Sequence, residues 1–217
     1  MVFDVGGQTL AAIEAIRAGV PGSVAGPDDE MANGNGALMR VLPLALWHRG
    51  PIEALLADAM SQSRVTHGHA RSQLCCALYC AWARREMDDS IDSWALATSD
   101  VRRFVRGNRK LEQELEQNIR PDRHAGGGGT GYVVDSLPSA RLALLETSYE
   151  AAVKRAVSLG NDTDTTAAIA GGIAGIRYGY EGIPSRWLEG LSESALVHPL
   201  ADQLLTTLGF ASRKESA

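Results

Sequence analysis

The chain has 217 residues, 45% of them hydrophobic, and a formal net charge of −5. That length and apolar content suffice for a single domain over 1–217 with a continuous buried core. The acidic balance offers no electrostatic footprint for nucleic acid. The opening Met1-Val2-Phe3-Asp4 lacks the basic start of a signal peptide, and no apolar run reaches bilayer length, so a cytosolic chain without nucleic-acid or membrane partners is expected.

Periodicity is helical almost throughout. Thr9 to Ala18 reads as a helix stopped by Gly19, and Pro51 suits the first turn of a helix running to about Ser63. Between them lies Asn33-Gly34-Asn35-Gly36, where Asn35 sits between glycines that let backbone approach a ligand closely; an ordinary loop and helix cap is the plain alternative. Leu38 and Met39 read as core. His69 to Glu86 carries Leu74, Leu78, Ala81 and Trp82 at three-to-four spacing, a core-facing stripe. Cys75, Cys76 and Cys80 fall on the same helix and read as small buried hydrophobes, since no cluster completes a zinc set. Ser90 to Arg106 and Asn108 to Ile119 are amphipathic, and the basic stretch Arg102 to Lys110 beside Glu112, Glu114 and Glu116 reads as an ion-paired, solvated face.

Gly126 to Gly129 reads as a flexible loop. Tyr132 to Glu146 follows, with Pro138 predicting a bend or restart. Tyr132 opens this helix, with a ring that either packs as core or stacks on a ribose or base. Ser148 to Leu159 and Thr165 to Tyr178 are further helices; the glycines and alanines from Ala167 to Gly175 predict close packing against a neighbour. A helix start at Pro184 and a helix from Pro199 to Leu208 complete an all-α reading.

The chemically richest run is Gly160-Asn161-Asp162-Thr163-Asp164-Thr165-Thr166, two carboxylates and three hydroxyls at a helix start. Asp162, Asp164 and Thr165 form an oxygen-only set suited to magnesium, manganese or calcium rather than zinc. Asp and Thr are also favoured helix caps, so Asp164 alone is explained equally by capping. Asp162 favours a cation, because a second carboxylate two residues away adds repulsion unless a cation or donor lies between them.

Four segments carry a resemblance in order: Asn33 to Val41 with Pro43, Val65-Thr66-His67-Gly68-His69, Gly131 to Leu137, and Asp162 to Tyr178 followed by Ile183-Pro184 and Trp187-Leu188. Together they closely resemble the ADP-ribosylglycohydrolase family over nearly all of the chain. The resemblance implies that family's compact multi-helix bundle, a magnesium or manganese site of two ions, and metal-dependent hydrolysis of the N-glycosidic bond between ADP-ribose and a protein side chain, arginine above all. The substrate would be an ADP-ribosylated protein or a small ADP-ribosyl compound. It implies metal ligation by Asp162, Asp164 and Thr165, substrate contacts from Gly34, Asn35, His67 and Tyr132, and general-base duty for Asp4. His69 receives no role. Family members usually carry an earlier Thr-Asp-Asp-Thr motif supplying the other half of the metal site; Asp28-Asp29-Glu30 and Asp88-Asp89-Ser90 do not match it. The expectation is therefore a chain lacking the family's N-terminal helices and weak or inactive as a hydrolase. Two alternatives stand beside this: a non-catalytic ADP-ribose-binding remnant, and a metal-dependent nucleotide phosphoesterase, disfavoured because no Lys or Arg adjoins the acidic run in sequence.

Overall fold

The structure is a computed structural model that describes residues 5–192 and 194–210. Among these residues no strand forms. The helices are α1 (Gly7–Arg17), α2 (Leu42–Trp47), α3 (Ile52–Ser63), α4 (Ala70–Met87), α5 (Ser93–Val105), α6 (Arg109–Gln113), α7 (Val133–Ala143), α8 (Tyr149–Ser158) and α9 (Thr163–Tyr178). They lie in one compact unit ending at Gly182. A second unit, from Ile183, holds α10 (Ser185–Glu189) and α11 (Ser194–Thr207), the latter continuous through Pro199. No helix among the described residues is long and apolar enough to cross a membrane.

The first unit is organised around α4. Every residue from Leu74 to Ala83 is buried, which fits a helix surrounded on several sides by α2, α3, α5, α7 and α9. Cys75, Cys76 and Cys80 lie fully inside as free thiols, and burial pushes Cys76 up to about 12, so it stays protonated and inert. The close approach expected of α9 occurs at one point. A Cβ on Gly172 would lie 2.6 Å from Tyr79 Oη and 2.7 Å from Leu42 Cδ2, and that same tyrosine donates to Ile169 O at 2.8 Å. Arg102 and Arg103 pair with Glu116, Asp122, Asp100 and Glu53, giving the expected ion-paired face.

Several local expectations change. Met39 is half exposed and not core, whereas Leu38 is buried. α7 runs through Pro138 without restarting: the ring forfeits one backbone bond, while Ser139 Oγ donates to Asp135 O at 2.7 Å and holds the turn. The glycine run is fastened rather than free. Gly126 N donates to Pro138 O, Gly128 N to Asp135 Oδ1, Gly129 N to Ser139 Oγ and Thr130 N to Asp135 Oδ2, so α7's first turns clamp the loop. Helix α9 starts two residues earlier than expected, with Asp162 as its N-cap. A further helical stretch, Glu114–Ile119, is π-wound and ends at Arg120 in the left-handed region (φ 53).

Candidate functional site

Two loops and one helix turn are stitched together at the front of α7 and α9. Asn35 N donates to Gly131 O, Val133 N donates to Asn33 O, and Gly34 forms an isolated antiparallel bridge with Tyr132. On the other side of the seam, Asp162 N donates to Gly129 O at 2.8 Å, and Asn161, left-handed at φ 57, donates through Nδ2 to Gly128 O at 2.9 Å. Asn tolerates that conformation better than most residues, which explains the tight entry to α9.

These contacts bring Asn35 and Asp162 together. Asn35 is 7% exposed, and its Nδ2 donates to Asp162 Oδ2 at 2.7 Å and to Ser136 Oγ at 2.9 Å. Ser136 donates onward to the Thr130 and Tyr132 carbonyls. A hydroxyl so committed accepts from the amide, which fixes the Asn35 NH2 toward the carboxylate. Asp162, although the N-cap, makes no side-chain cap hydrogen bond. Its carboxylate is turned to Asn35 instead, so helix capping does not account for it. Asp164 lies exposed in the first turn, and among the described residues neither acid pairs with Lys or Arg. Thr165 is 8% exposed with Oγ1 3.7 Å from Met39 Sδ, and the Thr166 hydroxyl is fully buried without a partner among the described residues.

The donor set fits a hard divalent cation in kind, being all oxygen with no Lys or Arg paired to either acid among the described residues. It is small in number: among the described residues no three His, Cys, Asp or Glu side chains converge.

His67 is buried against the same seam. Its Nδ1 lies 2.8 Å from Thr66 Oγ1, and its Nε2 side faces Gly34 and Gly36, where added Cβ atoms would sit 3.5 and 3.3 Å from that nitrogen. Only glycine leaves this face of the imidazole open. Burial first, then the positive charge of Arg40, pulls His67 down to about 4, so the imidazole is neutral at physiological pH. Gly34 N is taken up by Gln8 Oε1 at 3.0 Å. Tyr132 keeps its ring 41% exposed while its hydroxyl accepts from Arg71 Nη1 at 3.0 Å. Arg71, itself 6% exposed, also holds Glu114 at 2.9 Å. His69 caps α4 and lies 3.1 Å from Asn33 Oδ1, which gives it a structural place.

The structure thus brings together Gly34, Asn35, His67, Tyr132 and Asp162, with Asp164 and Thr165 following on the same turn. Asp4 lies outside the described residues. Sequence reading gave no role to Gln8, Arg71 or Ser136. Ser136 was within reach, since it sits one helical turn from Tyr132 in a matched segment. A cavity of about 660 Å³ is not lined by Asn35 or Asp162 and lies elsewhere on α7.

An all-helical domain thus places a carboxylate-bearing helix turn beside two glycine-containing loops. The ADP-ribosylglycohydrolase family profile matches residues 1–213, and the chain belongs to that family. It is 30% identical over 208 residues to ADP-ribosylarginine hydrolase Tri1 of Pseudomonas putida (strain GB-1), covering 93% of this chain and 53% of the relative. It is 30% identical over 171 residues to the ADP-ribosyl-[dinitrogen reductase] glycohydrolase of Rhodospirillum rubrum, covering 78% of this chain and 54% of that protein. The chain therefore spans about half the length of these curated relatives. A solved structure titled ADP-ribosylglycohydrolase-related protein complex superposes with a TM-score of 0.73 at 30% identity, covering 93% of this chain and 69% of that one.

Proposed function

We propose that this chain binds the ADP-ribosyl group and supports metal-dependent hydrolysis of its N-glycosidic bond to arginine. Family membership and the activities named for both relatives support the class of reaction. One observation carries the assignment of the site: the Asp162 carboxylate is oriented by Asn35 at 2.7 Å, on the helix turn that also bears Asp164 and Thr165, without a basic partner among the described residues.

Cleavage of an N-glycoside passes through a transition state with positive charge on the ribose. Asp162 and Asp164 place negative charge at that end of the site, and with Thr165 they are the residues that would hold magnesium or manganese. A bound ion supplies orientation of the ribose hydroxyls and an acidified water. Gly34 and Gly36 leave the backbone and the neutral His67 edge open for hydrogen bonds to ribose or phosphate, and the Tyr132 ring, fixed through Arg71, offers a stacking face. Asp4 remains the proposed general base. Net charge −5 favours a small or protein-borne ADP-ribosyl substrate over nucleic acid, and the three free buried cysteines suit the cytosol.

Two carboxylates balance one divalent ion, and magnesium dehydrates reluctantly without dense ligation, so turnover by the 217-residue chain is slow while ADP-ribose still binds. The test is release of ADP-ribose from ADP-ribosylated arginine with and without manganese. Slow, manganese-dependent release that Asp164→Ala abolishes supports the reading. Release that ignores both metal and Asp164→Ala overturns it.

A further inference from the structure

The 660 Å³ cavity lies on the far side of α7 from the Asn35–Asp162 pair. At about 100° per residue, Ser136, which holds Asn35, points roughly 150° away from the mean direction of Val134, Leu137, Pro138 and Arg141, which line the cavity. Of the candidate-site residues, Tyr132 alone among those described reaches both.

Its wall is apolar and its edge is cationic. Val134 and Leu137 are buried beneath it, while Arg120, Arg123 and Arg141 line it with no carboxylate at ion-pair distance among the described residues. Asp135 also lines it, but its oxygens are already taken by Gly128 N, Thr130 N and Thr130 Oγ1. Arg141 is the telling residue. Its Cζ lies 4.2 Å over the Trp94 ring, and Nη1 donates to Pro121 O and Arg123 O at 3.3 and 2.8 Å, which fixes the guanidinium and leaves Nε and Nη2 without partners among the described residues. Burial pulls its pKa down despite the attraction of Asp92 and Asp122, the mark of a cation that is under-compensated where it sits. Arg120 adds an independent sign. A non-glycine residue at φ 53, closing a π-wound turn, is a strained arrangement of the kind that gathers at binding sites.

We propose that this cavity is a second ligand site, separate from the Asp162 site, and that it takes a nucleoside monophosphate, with the phosphate against Arg141 and Arg123 and the base on the wall at Pro138. The volume suits a ligand of that size, a fixed guanidinium fork suits a phosphate, and an apolar wall beside an arginine plane suits a flat ring.

The experiment is calorimetric titration of the whole chain with AMP in the absence of metal. AMP binds, adenosine and inorganic phosphate each bind at least tenfold more weakly, and Arg123→Ala and Arg141→Lys each weaken AMP at least tenfold. Among the described residues the Arg123 side chain makes no hydrogen bond or ion pair, so its variant keeps the fold even if Arg141→Lys does not. Asp162→Ala leaves AMP affinity unchanged, and the arginine variants leave manganese affinity unchanged. The proposal is overturned if AMP does not bind, if adenosine binds as tightly as AMP, if Arg123→Ala leaves AMP affinity unchanged, or if Asp162→Ala weakens AMP as much as Arg123→Ala does.

Discussion

Replacing Asn35 with Ala removes one NH2 group that serves two acceptors, Asp162 Oδ2 at 2.7 Å and Ser136 Oγ at 2.9 Å. A hydrogen bond to a charged acceptor contributes about 1.5–3 kcal/mol and a neutral one about 0.5–1.5 kcal/mol. Asp162 is only half-buried, so the lower figure of about 1.5 kcal/mol applies to it. Ser136 keeps two carbonyl acceptors after the change, so its share is about 0.5 kcal/mol. The expected loss is about 2 kcal/mol, or about 4–8 °C in Tm for a chain of this size. A double-mutant cycle with Asp162→Ala, read by chemical denaturation, isolates the pair: the coupling energy is about 1.5 kcal/mol, and with Asp162 already removed Asn35→Ala costs about 0.5 kcal/mol. A coupling below about 0.5 kcal/mol would refute the claim that Asn35 orients Asp162.

Gly172→Ala forces its Cβ into Tyr79 and Leu42 and costs about 1–3 kcal/mol of strain against about 1 kcal/mol of helix propensity gained, whereas Gly171→Ala meets nothing nearer than 3.4 Å and stabilises by up to about 1 kcal/mol. Equal melting shifts for the two variants would contradict the packing described. His67, held down to about 4 in the fold from 6.5, binds fewer protons folded than unfolded between those values, so its contribution is fully present above about pH 6.5 and is lost as pH falls toward about 4, by an amount on the order of 3 kcal/mol. Denaturation midpoints measured from pH 7 to 5 should fall in the wild type and fall less in His67→Gln; parallel curves count against a buried neutral imidazole. Arg71→Met strands Glu114, whose side chain is 15% exposed, and costs about 3–5 kcal/mol; adding Glu114→Gln recovers part of the loss, and no recovery would mean that packing, not charge, is what Arg71 supplies.

Helical class was legible because local periodicity decides it: α3, α4, α5 and α8 fall within a few residues of the limits that spacing and caps suggest. The acidic turn was legible for the same reason, since its residues are neighbours in sequence. What sequence could not convey is pairing at a distance. Asn35 reaches Ser136 across 101 positions and Asp162 across 127, so the amide that orients the carboxylate leaves no local pattern. Arg71 reads as an ordinary helix residue until Glu114 and Tyr132 are folded onto it. Met39 follows the apolar Leu38 and resembles it by composition, yet it is half exposed and faces Thr165 while Leu38 is buried. The glycine run illustrates the opposite error. Composition suggests freedom, while Asp135 and Ser139 spend their side chains restraining it.

The central claim is that the first turn of α9 is the cation-holding end of the site, and manganese binding tests it without recourse to turnover. Electron paramagnetic resonance titration of the chain with manganese should show binding that weakens at least tenfold in Asp162→Ala and in Asp164→Ala, with circular dichroism confirming that both variants keep the helical fold. Manganese affinity unchanged by both substitutions would contradict the assignment of Asp162, Asp164 and Thr165.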